Sequence, residues 1–188
     1  MGDYFLAVDI GASSGRHILG SMQDGKMSIE EIYRFENGMV KKDGHLYWDV
    51  EHLEKEITAG MAKCREAGKI PVSMGIDTWA IDYVLLDKED KIVGSTYGYR
   101  DTRTRGMDEE VYRIIPQDKL YQRNGIQKLI FNTVYQLMAA KMKEPETLVQ
   151  ADSLLMIPDY FNFVLTGEKK SEYTNATTGQ LVDVRTND

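Results

Sequence analysis

A mixed α/β fold, with one sheet covered by helices, is the class that this 188-residue sequence predicts. Three observations predict it. Short apolar runs separated by turn residues crowd the chain up to Phe35. A further strand-like run follows the first helical pattern, so the sheet must continue across it. The second half then reads mainly as helices.

Tyr4 to Val8 is a continuous apolar run, as a buried strand requires. Arg16 to Met22 can return as a second strand, and Asp24-Gly25 is a strong hairpin signal. Ile29 to Phe35 alternates imperfectly and gives a third strand, so the chain opens as a meander. Asp49 is a good N-cap for a helix in which Val50, Leu53, Ile57, Met61 and Cys64 share an apolar face, with Gly68 as the stop. Pro71 to Ile76 returns as a strand ending at Asp77. Tyr83 to Leu86 is another, reaching a turn at Asp87 to Asp90. Beyond it, Met107, Val111 and Ile114 share a helix face, and Pro116 opens a helix that stops near Gly125. Asn132 can cap a helix through Leu137 to Lys141, and Pro158 can start one ending at Thr166-Gly167.

Composition narrows the function classes. The chain is 42% apolar and 28% charged, as ordinary globular domains are. A net charge of −7 argues against a general nucleic-acid surface, which needs clustered cations. No apolar stretch is long enough to span a bilayer, and no secretory leader is visible, so a cytoplasmic location is expected. The single cysteine, Cys64, excludes an internal disulfide and falls on the apolar helix face, where it reads as core.

The segment Asp9-Ile10-Gly11-Ala12-Ser13-Ser14-Gly15-Arg16 carries most of the functional signal. It is not a Walker loop: Gly11 and Gly15 stand one residue too close, Arg16 replaces the lysine, and a strand follows instead of a helix. The dinucleotide pattern G-x-G-x-x-G fails on spacing. Gly11 to Gly15 does match G-x-S-x-G, but a nucleophile elbow needs a strand-to-helix turn and an oriented histidine. Only His17, His45 and His52 are available, and none has an evident acidic orienter. Two readings stay open. In one, the segment is a turn that Asp9 caps. In the other, glycines, consecutive N–H groups, Ser13, Ser14 and the planar fork of Arg16 grip a phosphate. In that reading Asp9, at the end of a buried strand, needs a partner that a hydrated Mg²⁺ would supply.

The rest of the chain resembles the N-terminal part of the FGGY family of carbohydrate kinases. The resemblance is carried in order by Ala7–Arg16, Arg34–Gly38, Trp48–Val50, Gly75–Leu86, Tyr99–Thr104, Tyr121–Gln127, Phe131–Thr133, Pro158–Phe161 and Tyr173–Thr178. It implies a ribonuclease H-like (actin/hexokinase-type) ATPase domain over residues 1–188, with a mixed five-stranded sheet, helices on both faces and an incomplete C-terminal end. It further implies an ATP site and a sugar site facing one cleft. Ala12, Ser13, Ser14, Gly15 and Arg16 match the family's phosphate-binding loop, and Asp9 matches the acid that holds Mg²⁺, commonly through water. Ala80 matches the sugar-contacting position, where members acting on L-rhamnulose usually carry Gly and other members carry larger polar residues.

Plainer readings stand beside these matches. Trp79 and Tyr83 are either core aromatics or a sugar-stacking surface. Asp82 lines the cleft or caps the next strand. Arg103 and Phe131 are candidate cleft residues, and Thr133 matches a small polar position. Gln136 stands where many members carry Lys, and no chemistry is assigned to it. The family's catalytic aspartate lies in a later His-Asp-Thr-like segment that this sequence does not contain. The expectation is therefore an N-terminal piece that lacks the base and the second, adenosine-gripping domain, and does not turn over alone. L-fuculose and related ketoses stay open as substrates. A non-catalytic ATP- or sugar-binding protein of the actin type is the alternative class.

Overall fold

The computed structural model describes residues 3–187. In chain order the elements are β1 (Tyr4–Ile10), β2 (Ser14–Gln23), β3 (Lys26–Glu36), β4 (Met39–Lys42), β5 (His45–Trp48), α1 (Val50–Glu66) and β6 (Pro71–Asp77). There follow β7 (Tyr83–Leu86), a 3₁₀ turn (Thr102–Thr104), α2 (Met107–Ile114), α3 (Gln117–Asn124) and α4 (Thr133–Lys143). The last elements are α5 (Pro145–Gln150), β8 (Ser153–Met156), α6 (Ile157–Thr166) and α7 (Tyr173–Thr178). The chain forms two compact units, Met1–Val40 with Asp49–Trp79, and Lys41–Trp48 with Ala80–Asp188.

The first unit is a mixed sheet in the order β3-β2-β1-β6. β1 and β2 are antiparallel with Ile10 opposite Gly15, and β1 and β6 are parallel with Asp9 beside Asp77. Between β2 and β3, Asp24 and Gly25 both take positive φ, 50° and 73°, as a two-residue hairpin turn requires. α1 packs across β2 and β3. Its buried positions are Val50, Leu53, Ile57, Gly60 and Cys64, against Leu6, Val8, Ile10, His17 and Leu19 of the sheet. Met61, expected on that face, is exposed. The His17 ring fills the space beside the helix at Gly60, where an added Cβ would stand 2.3 Å from it. The face therefore runs through the glycine. On the opposite face of the sheet Phe5, Met22, Met27 and Ile29 are exposed.

The sheet has four strands, one fewer than expected, and within this unit a helix covers one face. The run Tyr83–Leu86 is a strand, but it pairs antiparallel with Ser153–Met156 in the second unit, Tyr83 opposite Met156. All four of its residues are buried, and a run with no alternation carries no sign of which sheet it joins.

In the second unit Tyr135 and Ala139 of α4 pack with Met107, Val111 and Leu120. Ile114, expected on that face, is exposed at the end of α2. α3 and α6 stop at Gly125 and Gly167, each with φ near 70°, where glycine carries no side-chain penalty. Asn132 stands at the N-cap of α4 without capping it. Its Oδ1 accepts from the Leu129 N–H at 2.6 Å and its Nδ2 donates to the Thr178 carbonyl at 3.0 Å, tying α7 to α4.

Candidate functional site

The expected site residues fall into two groups, one in each unit. The first is the three-residue bend between β1 and β2. The Gly11 N–H donates to the Ser14 carbonyl at 2.9 Å, closing the bend. Asn37 clamps it from the end of β3: its side chain donates to the Gly11 carbonyl at 2.7 Å and its N–H to the Ser13 carbonyl at 3.0 Å. The carbonyls of Gly11, Ser13 and Ser14 are thus spent within the bend and on Asn37. The N–H groups of Ala12 and Ser13 have no acceptor among the described residues. Gly15 is enforced by packing, because a Cβ there would lie 2.0 Å from the Phe35 ring.

Asp9 and Arg16 face each other across the β1–β2 ladder, with Nε 3.2 Å from Oδ2. That contact is an ion pair whose angle is not that of a hydrogen bond, and Nε has no other partner. Asp9 was expected in a buried setting. Its side chain is instead 49% exposed, because β1 turns alternate residues to the uncovered face of the sheet. Trp79 ends this unit, half-buried, with its carbonyl accepting from the Thr78 hydroxyl at 2.9 Å.

The second group begins at Ala80, half-buried. The Asp82 N–H donates back to the Ala80 carbonyl at 3.0 Å, and Ile81 between them has φ of 72°. Asp82 is fully buried and hydrogen-bonded on both oxygens. Oδ2 accepts from the Trp48 indole at 2.6 Å and the Tyr99 N–H at 3.0 Å, and Oδ1 accepts from the Gln136 amide at 2.7 Å. It is an internal anchor and faces no open surface. Phe131 is half-buried, with its ring edge-on to Tyr99 at 5.7 Å and its carbonyl accepting from Gln136 at 3.1 Å.

Arg103 also lies inside. Its guanidinium sits 3.7 Å over the Tyr97 ring, and Nη2 donates to the Tyr83 hydroxyl and to Gln136 Oε1, both at 3.4 Å. The expected cleft position for it does not match a side chain only 6% exposed. Stacking on Tyr97 compensates part of the cost of burying that cation. Burial pushes the Tyr97 phenol well up, helped by its hydrogen bond to Glu144, so the ring stays neutral. Nearby Asp101 is held below the usual carboxylate range. Burial alone would raise it, but hydrogen bonds from the Leu46 and Arg103 N–H groups and the His45 ring outweigh burial.

In this group Trp48, Tyr97 and Gln136 carry no role from the sequence, and Thr133 only a match to a small polar position. One signal was present: Gln136 is a lone amide in the otherwise apolar helical stretch from Val134 to Ala140. Such a residue, three positions after Thr133, shares its face and must find partners when buried.

Residues 4–188 match the N-terminal domain of the FGGY family of carbohydrate kinases. A rhamnulokinase of Halalkalibacterium halodurans is 55% identical over 184 residues, which is 98% of this chain and 39% of that protein. A rhamnulokinase of Klebsiella pneumoniae is 50% identical over 181 residues, 95% of this chain and 37% of that one. The chain thus spans less than two-fifths of the length of these relatives. Among solved structures, ligand-bound xylulose kinase from Lactobacillus acidophilus has a TM-score of 0.85 at 17% identity, covering 99% of this chain and 38% of its own. Plasmodium falciparum glycerol kinase with ADP has a TM-score of 0.80 at 15% identity, covering all of this chain and 39% of its own. These two likenesses concern the fold, which is ribonuclease H-like and mixed α/β. With the match running through every element from β1 to α7, the chain belongs to the FGGY family of carbohydrate kinases and corresponds to its N-terminal domain.

Proposed function

We propose that this chain is the phosphate-gripping and sugar-contacting part of an ATP-dependent kinase that converts L-rhamnulose to L-rhamnulose 1-phosphate. One observation carries the reading: the β1–β2 bend turns two adjacent N–H groups, at Ala12 and Ser13, away from every described acceptor while Arg16 stands at its edge. A bend of this kind accepts an anion. Ala12, Ser13, Ser14, Gly15 and Arg16 take a phosphate of ATP: backbone N–H groups and hydroxyls donate, and the Arg16 fork adds charge. Gly15 keeps the end of the bend in place by letting the Phe35 ring pack against its backbone.

The donor set near the bend suits a hydrated Mg²⁺. Asp9 and Asp77 are neighbours across the β1–β6 ladder and offer hard carboxylate oxygens, and among the described residues no cluster of three or more ligating side chains forms. Asp9 would hold the ion through water, and the bound ion would neutralise charge on the phosphates. Ala80 contacts the ketose through its backbone. Its small side chain, and the rhamnulokinase relatives at 50–55% identity, favour L-rhamnulose over L-fuculose and other ketoses or polyols. Phosphoryl transfer places the γ-phosphoryl group on the primary hydroxyl, ADP departs, and the hydroxyl proton goes to a base. That base, an aspartate, lies outside these residues, in a C-terminal domain of the same protein. The location proposed is the cytoplasm. Among the described residues no helix is long and apolar enough to cross a membrane.

The test assays a panel of ketoses with ATP and Mg²⁺, reading ADP release, for the full-length gene product and for the 188-residue chain in parallel. The full-length protein is expected to prefer L-rhamnulose, and the chain alone to release no sugar-dependent ADP. Turnover by the chain alone overturns the placement of the base. A full-length protein that phosphorylates no ketose overturns the kinase reading.

A further inference from the structure

We propose that Thr133 and Gln136 are positioning residues: they hold the Ala80–Ile81–Asp82 turn in a strained form that presents the Ala80 N–H as a hydrogen-bond donor to the ketose. This rests on the reading, given above, that Ala80 meets the sugar.

A bond from the Asp82 N–H to the Ala80 carbonyl, with φ of 72° at Ile81, defines a γ-turn of the positive-φ kind, a rare and strained conformation. Isoleucine is among the residues least suited to it, because its branched Cβ crowds the backbone there. Such a turn persists only where its surroundings over-determine it. The surroundings here do so. The Ile81 carbonyl accepts from the Thr133 hydroxyl at 2.7 Å and from the Gln136 amide at 3.4 Å. Gln136 reaches on to Asp82 Oδ1, while Trp48 and the Tyr99 N–H hold Oδ2. The Asp82 carbonyl accepts from the Ile157 N–H at 3.3 Å. Thr133 and Gln136 lie one turn apart on α4, are 0% and 2% exposed, and so share one face and have no freedom to leave it.

The turn leaves Ala80 with its carbonyl engaged and its N–H without an acceptor among the described residues. An N–H without an acceptor, on a half-buried residue next to a held turn, suits a neutral polyol, whose hydroxyl oxygens accept. Glycine at position 81 would take the same φ at no steric cost. The isoleucine instead makes the turn depend on α4.

The experiment uses the full-length protein with L-rhamnulose and ATP. T133V keeps the shape and removes the hydroxyl. It is expected to raise the KM for L-rhamnulose by about tenfold, with the KM for ATP within about twofold, since one hydrogen bond of positioning is at stake. T133S is expected to restore most of the loss. In an I81G background the turn needs less holding, so T133V should cost several-fold less there than with isoleucine present. A T133V effect equal on both substrates, or one undiminished in the I81G background, overturns the proposal. Should T133V fail to fold, T133A in the same two backgrounds gives the same comparison. A wild-type protein inactive on every ketose overturns the functional reading, and this proposal with it. A wild-type enzyme active on L-rhamnulose whose KM ignores T133V overturns the proposal alone.

Discussion

His17 lies under α1 with Nε2 donating to the Ile57 carbonyl at 3.1 Å and Nδ1 without a partner. Burial pulls its pKa below 6.5, against the smaller upward pulls of the Ile57 bond and the Glu56 charge. The ring is therefore neutral in the fold, whereas in the unfolded chain it takes a proton as pH falls past its ordinary value. Stability contributed by this site is whole above that value and is lost progressively below it. Urea unfolding followed from about pH 7.5 to about pH 5 should show a falling midpoint, and H17L should flatten that part of the profile. Gly60 faces the same ring. Helix propensity alone favours alanine there by about 1 kcal/mol. The added Cβ would meet a fully buried ring at 2.3 Å, and overpacking costs about 1–3 kcal/mol. G60A is expected to lower the urea midpoint, so the sign of the change tells which effect dominates.

At the scale of elements, the start of α1 is fixed locally. Asp49 Oδ1 accepts from the His52 N–H at 2.9 Å, which satisfies one of the helix's orphan donors. D49A should cost about 1 kcal/mol, read as a lower thermal midpoint. This helix and the three-strand meander were legible in the sequence because their signals are local: a 3.6-residue period, an Asp cap, an Asp-Gly turn. The β1–β2 bend was legible for the same reason, its partners lying within one hairpin apart from Asn37. The cluster around Ile81 was not. Many of its bonds join residues far apart in the chain, such as Trp48 with Asp82 and Gln136 with Ile81. Its defining feature, a positive φ at isoleucine, is the reverse of what that residue type signals. Likewise β8 was hidden in the apolar approach to Pro158, and the partner of Tyr83–Leu86 with it.

At the scale of the whole molecule, the chain combines a net charge of −7 with one sheet face of exposed Phe5, Met22, Met27 and Ile29. Contiguous apolar surface of that kind binds hydrophobic dyes and promotes association. I29K should reduce binding of an anilinonaphthalene sulfonate dye to the isolated chain. Position 29 is 68% exposed, so stability should move by no more than about 0.5 kcal/mol in thermal melts. The chain also carries its own optical probes. Of its two tryptophans, Trp48 is buried with its indole on the Asp82 carboxylate, and Trp79 immediately precedes Ala80 in sequence. Emission from an indole depends on the polarity and charge beside it. In this 188-residue chain W79F therefore leaves a single indole wired to the strained turn, and its colour and quenching follow the state of that turn in solution, with no label attached.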